Sequence, residues 1–285
     1  MKVFSTFLLP VLLLLPLSSN VSLAAQPEIT EITEKDTIKN QHGKLVWADL
    51  YTGDIEASIN FYRKTFGWTV KSFTKDKAKY NIFYDGEQPI AGVLARDSKR
   101  NKTENALWVG SIDTDNVSSR SEIAANNNAN IILAPHKFKL YGKRAVLADP
   151  QGGVIALLEL DLTNQNHKKI STSWDWAQLF STNTKQAAKF YQDTFDYSIE
   201  RVNDKQDSFF LIQAEMVQAS IVKLPASFEQ RDRWVNFIGV NNLTTLLSKA
   251  KANGATVIYQ PEDQGLAIIS DPNGALLGLT QQETK

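Results

Sequence analysis

A carboxylate set among aromatic rings is the first place in this chain where chemistry could occur. In "VWADLYTGD", from Val46 to Asp54, the residues Trp47, Asp49 and Tyr51 fall at alternate positions. Alternate side chains of a strand share a face, so Asp49 stands between an indole and a phenol while Val46, Ala48 and Leu50 pack on the other side. Desolvation there raises a carboxyl's pKa and suits it to general-base work. The competing reading places Asp49 at a rim, paired with a base such as Arg144, where it does no chemistry. The stretch "DWAQLFSTN", from Asp175 to Asn183, repeats the pattern with Trp176, Gln178 and Phe180. Gln178 takes no proton at neutral pH, so the second stretch is expected to bind without reacting.

Metal chemistry would need imidazole, carboxylate or thiolate donors. The chain has 3 His and 0 Cys. His42, His136 and His167 fall in a lead-in, an expected loop and a linker, and as a trio they match no ligand spacing. The absence of cysteine also excludes disulfides and a lipoprotein anchor, leaving stability to the core.

The elements that would position these residues come from an internal repeat. A shift of 129 residues lays "WADLYTGDIEASINFYRKTFGW" on "WAQLFSTNTKQAAKFYQDTFDY". Each copy divides again, with a Trp seven residues before an Asp or Asn: Trp47 to Asp54, Trp108 to Asp115, Trp176 to Asn183 and Trp234 to Asn241. Asp and Asn start helices by accepting an unsatisfied backbone N–H, and Asn128 and Gly254 suit the left-handed turn that ends one. The spacing predicts strand, helix and about three strands, four times over. "DPQG" and "DPNG" read as ordinary type I turns. The sequons at Asn101, Asn116 and Asn242 are short enough to arise by chance.

The chain of 285 residues divides into an expected signal peptide (1–25), a polar leader (26–42), a first domain (43–161), a linker (162–170) and a second domain (171–281). The signal reading rests on Met1-Lys2, the apolar core "FLLPVLLLLPL" and a small-residue boundary at Ala24-Ala25. It implies a periplasmic or secreted protein with no membrane segment after cleavage. The 31 basic and 31 acidic residues balance, which gives no hint of nucleic acid or an anionic surface as partner. A homodimer stays open.

Four βαβββ units, "FYRKTFGW" in the first helix and "DPQG" or "DPNG" before the last strand resemble the vicinal oxygen chelate superfamily, in its tandem glyoxalase-like branch. The resemblance implies an α+β fold, with a curved, cup-shaped mixed sheet in each copy, helices outside it, and a small-molecule site in each cup. In metal-using members the first strand carries a His, Gln or Glu about seven residues before the helix start. Here those slots hold Trp47, Trp108, Trp176 and Trp234, and the closing slots, where a Glu is usual, hold Ala156 and Gly278. The remaining slots offer only Gln218 and Ser220. The expectation is therefore no metal and no cofactor, with Trp47, Tyr51, Trp108 and Ala156 lining one cup and Trp176, Gln178, Trp234 and Gly278 the other. Three functions follow from that lining. The first is binding of a small organic molecule, as the resemblance to bleomycin-resistance proteins implies. The second is lyase, isomerase or dioxygenase-like chemistry through Asp49 or an unrecognised metal. The third is a structural partner whose cups are filled by its own side chains.

Overall fold

Each of the four units opens with a strand whose alternate apolar residues need cover, followed by a helix that supplies it. The computed structural model describes residues 42–75, 78–96, 106–138, 141–161, 174–203, 206–225, 231–262 and 265–282. The expected signal peptide, nearly all of the leader, the linker, Asn101 and His167 lie outside them. The first unit is β1 (Leu45–Thr52), α1 (Ile55–Phe66), β2 (Thr69–Lys75), β3 (Ala78–Asp85) and β4 (Gln88–Ala95). The second is β5 (Leu107–Asp113), α2 (Val117–Asn126), β6 (Asn130–Phe138), β7 (Gly142–Ala148) and β8 (Val154–Leu160). The third is β9 (Trp174–Ser181), α3 (Thr184–Phe195), β10 (Ser198–Asn203), β11 (Gln206–Gln213) and β12 (Met216–Lys223). The fourth is β13 (Arg233–Val240), α4 (Leu243–Ala252), β14 (Thr256–Tyr259), β15 (Leu266–Ser270) and β16 (Leu276–Gln281).

Neighbouring units pair within a copy. The first sheet has the order β2-β3-β4-β1-β5-β8-β7-β6 and the second β10-β11-β12-β9-β13-β16-β15-β14. The two opening strands are antiparallel at the centre of each sheet, β1 on β5 and β9 on β13, and each also runs parallel to the closing strand of its own unit.

The caps depart from the expected spacing in half the units. Asp54 and Asn183 cap α1 and α3 by accepting from the amides of Ala57 and Gln186. In the other two units the caps are Asn116 and Asn242, one residue later than expected. Both carry sequons, and both use the side-chain oxygen to accept a backbone N–H, from Ser119 and Thr245. Asn128 and Gly254 close their helices with φ of 68° and 95°, as the sequence indicates. His136, expected in a loop, lies in β6.

The helices lie outside the cups and are enclosed between the copies. α1 meets α4, α2 meets α3, and the central strands pass back to back, β1 against β9 and β5 against β13. One buried cluster joins Leu50, Tyr62, Trp108 and Leu157 of the first copy to Trp174, Leu179, Tyr191 and Trp234 of the second. The concave faces carry separate clusters, around Trp47 and Tyr141 in the first copy and around Phe180 and Phe237 in the second. Burial of apolar surface, worth roughly 25 cal/mol per Å², makes this shared cluster a stabilising contact between the copies.

Candidate functional site

On the floor of the first cup, β1 presents Trp47, Asp49 and Tyr51 from one face, as strand alternation requires. Asp49 is fully buried and Arg144 is 3% exposed. The Arg144 guanidinium approaches Asp49 Oδ2 at 2.6 Å through Nη1. Oδ1 accepts from the Tyr80 hydroxyl at 2.6 Å and from Trp47 Nε1 at 3.4 Å. Arg144 Nη2 also donates to the Tyr51 hydroxyl at 3.3 Å. Thus the base named as an alternative partner does pair with Asp49, but at the floor and not at a rim. Burial raises the Tyr80 hydroxyl far above its ordinary range, and the Asp49 charge adds to the effect. Burial works against the Arg144 charge, yet Asp49 beside it raises the guanidinium's pKa overall. A Cβ at Gly92, which pairs with Asp49 across β4, would collide with Asp49 Oδ1 and the Tyr80 hydroxyl. Glycine there is what lets Tyr80 reach the carboxylate.

Position by position, the second cup replaces this network with neutral groups. Gln178 stands where Asp49 does, and its strand neighbours are Ser220 on β12 and Val235 on β13. Counting from Asp149 and Asp271, the residue equivalent to Arg144 is Leu266. Gln178 and Ser220 are fully buried. Gln178 Oε1 and Nε2, Ser220 Oγ and Trp176 Nε1 find no hydrogen-bond partner among the described residues. Around them lie Phe180, Val222, Val235, Phe237 and Ile268, with Trp176, Tyr259 and Leu276 partly exposed at the edge. The Phe237 ring lies over Gly278, where a Cβ would strike it.

Trp108 and Trp234, expected in the cups, lie on the opposite face of their sheets. Trp108 pairs with Leu50 and Trp234 with Leu179, both of which point into the seam between the copies. The cause is the displaced cap: the Trp-to-cap interval is seven in the units starting at Trp47 and Trp176 but eight at Trp108 and Trp234. A change of one residue turns every side chain of a strand to the other face. In the seam the two indoles do something the sequence does not reveal. Trp108 Nε1 donates to the Tyr62 hydroxyl at 2.8 Å, and that hydroxyl donates to Asp271 Oδ2 at 3.0 Å in the other copy. Trp234, Tyr191 and Asp149 repeat the chain in reverse at 2.8 and 3.0 Å. The "DPQG" and "DPNG" segments are turns, and their Asp residues also tie the copies together. Burial pushes the Asp149 carboxyl up to about 6, and it raises that of Asp271 as well.

The slots that could hold a metal can now be counted from the true caps. They are Trp47, Val109, Trp176 and Val235 on the opening strands, with Gly92, Ala156, Ser220 and Gly278 on the closing strands. None supplies a donor suited to a divalent ion. Among the described residues, no three His, Asp or Glu side chains converge. His42 is bound at 2.8 Å to Asp113 at the junction between copies, which raises the imidazole's pKa through that hydrogen bond. The donor set does not fit a metal. Two cavities lie outside the cup floors, one of 410 Å³ in a groove between α4 and Trp68 and one of 340 Å³ beside Lys143 and Glu159.

Residues 44–157 match the family described as the glyoxalase/bleomycin resistance protein/dioxygenase superfamily. The anthracycline biosynthesis protein DnrV of Streptomyces peucetius is 22% identical over 254 residues, which is 82% of this chain and 91% of its own length. Among solved structures, the 2,3-dioxygenase LapB from Pseudomonas sp. KL28 is similar with a TM-score of 0.56 at 12% identity, over 86% of this chain and 94% of that one. The Mn(II)-bound glyoxalase from Novosphingobium aromaticivorans gives 0.55 at 13% identity, over 85% and 82%. At such identities the structural likeness speaks for the fold alone.

Proposed function

We propose that this chain, a tandem member of the glyoxalase/bleomycin resistance protein/dioxygenase superfamily, is an exported protein that binds a small organic molecule without a metal. The observation that carries this reading is the lining of the cups. Eight positions suited to metal donors hold Trp, Val, Ala, Gly and one Ser, while indole, phenyl and phenol rings gather beside them. Aromatic and aliphatic walls with a few placed polar groups are the usual make-up of a small-molecule site. A relative that matches most of both copies is named for anthracycline biosynthesis, a name that ties it to small-molecule chemistry.

In this reading Asp49 serves the fold. Arg144, Tyr80 and Trp47 already engage its two oxygens, so a substrate proton would have to compete with a buried ion pair. Residues 1–25 direct export, and the mature chain starts at Ala25 or Gln26.

Elemental analysis of untagged protein from its native cell should find well under one metal per chain. A thermal-shift screen of aromatic compounds should find ligands whose effect survives EDTA. Stoichiometric metal, with ligand stabilisation lost on chelation, would overturn the reading. Mass spectrometry of the same sample tests export, and an intact chain retaining Met1 would contradict it.

A further inference from the structure

We infer that the second cup, and not the first, is the selective one, and that it recognises a neutral ligand with a lactam-like edge through the side-chain amide of Gln178. The inference rests on the small-molecule reading above and names the class of ligand.

Gln178 sits at the centre of the floor with no solvent exposure, and neither atom of its amide has a partner among the described residues. Leaving a buried donor or acceptor unmet carries the full desolvation penalty of that group. A core position with no polar task would be better served by Leu or Met, so the amide is a standing demand for a complement. Its shape says what that complement is. A primary amide presents an N–H and a C=O side by side in one plane. A cis-amide offers the same pair in the opposite order and closes two parallel hydrogen bonds. Ser220 Oγ, on the neighbouring strand, and Trp176 Nε1, two residues along β9, are also unpartnered and supply further polar contacts.

The charge of the site argues in the same direction. The positions equivalent to Asp49 and Arg144 are Gln178 and Leu266, so the floor offers no counter-ion. Arg233, which pairs with Phe180 further along the strand, is already engaged. A carboxylate would bring an uncompensated charge into an apolar cluster and set an oxygen against Gln178 Oε1, which is unfavourable on both counts. The partly exposed Trp176 and Tyr259 rings flank the floor and suit a flat ligand.

The test uses three probes of one shape, 2-quinolone, quinoline and 2-naphthoate, titrated calorimetrically at pH 7 into the full mature chain. 2-Quinolone should bind at least tenfold more tightly than either of the others. Gln178→Leu should erase that preference, weakening 2-quinolone by tenfold or more and leaving quinoline unchanged or tighter. If the variant does not fold, the side-chain amide resonances of Gln178 in labelled wild type should shift with 2-quinolone and not with quinoline. Equal binding of all three probes, lost together in Trp176→Ala, would overturn the lactam inference and leave the binding reading intact. A preference that survives Gln178→Leu would overturn it too. If no aromatic probe binds wild type at all, both fall.

Discussion

Asp49 and Gln178 occupy equivalent points on the floors of the two cups, and their surroundings differ in one respect. Around Asp49 the chain supplies a guanidinium, a phenol and an indole, so the polar demand of the residue is met internally. Around Gln178 it supplies Ser220, the Trp176 indole and hydrocarbon, and the amide is left unmet. Two cups with the same strand register therefore differ in how the central residue is answered, although Ser111 Oγ and Arg144 Nε of the first cup also lack a hydrogen-bond partner among the described residues. A buried polar residue marks a binding site only when its own fold has not already answered it. By that criterion the more chemically suggestive side chain, the carboxylate, belongs to the less available cup.

The comparison breaks most visibly at Arg144. Arg144→Met leaves the buried Asp49 charge without its counter-ion and should cost about 3–5 kcal/mol in urea unfolding. The double variant Asp49→Gln with Arg144→Leu copies the second cup and should recover most of that loss. A cost under about 1 kcal/mol in the single variant would mean that water reaches Asp49 and that the first cup is open.

The seam tests whether the copies differ anywhere except in their cups. Tyr62→Phe strands Trp108 Nε1 and Asp271 Oδ2, and Tyr191→Phe strands Trp234 Nε1 and Asp149 Oδ2. Each should cost about 2–3 kcal/mol, given about 1–3 for an orphaned group, and the two losses should agree. Clearly unequal losses would mean that the asymmetry extends beyond the cups.

Asp149 adds a pH dependence to the same contact. Its folded pKa of about 6 lies above the ordinary 3.8, so between those values the folded chain holds a proton the unfolded chain has released. Stability therefore falls as pH rises from about 4 through 6, by an amount on the order of 2 kcal/mol from this group. Asp149→Asn should flatten that part of the profile, and an unchanged slope would show that the carboxyl is not the source. The smallest effect belongs to the second cup. Gln178→Leu should unfold within about 1 kcal/mol of wild type or at higher denaturant, because it removes only unmet polar atoms. A loss above about 2 kcal/mol would mean that the amide is satisfied after all.

Much of this was legible in the sequence. Trp47, Asp49 and Tyr51 share the concave face because strand alternation is rigid, and Asn128 and Gly254 end helices because both tolerate positive φ. The misplacement of Trp108 and Trp234 has an equally local cause. "DN" and "NN" each offer two adjacent capping residues, and spacing by analogy with Trp47 selects the first of each pair where the fold uses the second. The Tyr62–Asp271 bond lies beyond any local rule, since its partners are 209 residues apart. Arg144 could be named as a candidate partner because its charge suits Asp49. Its depth could not, because burial is a property of the closed sheet.

Because each copy spends its convex face on the other, the seam holds the two halves together in addition to the chain that joins residues 161 and 174. A gene divided there should yield two fragments, each with an apolar back to cover, that find one another as a heterodimer. Such a split protein would let either cup be rewritten on its own fragment and recombined with any version of the other.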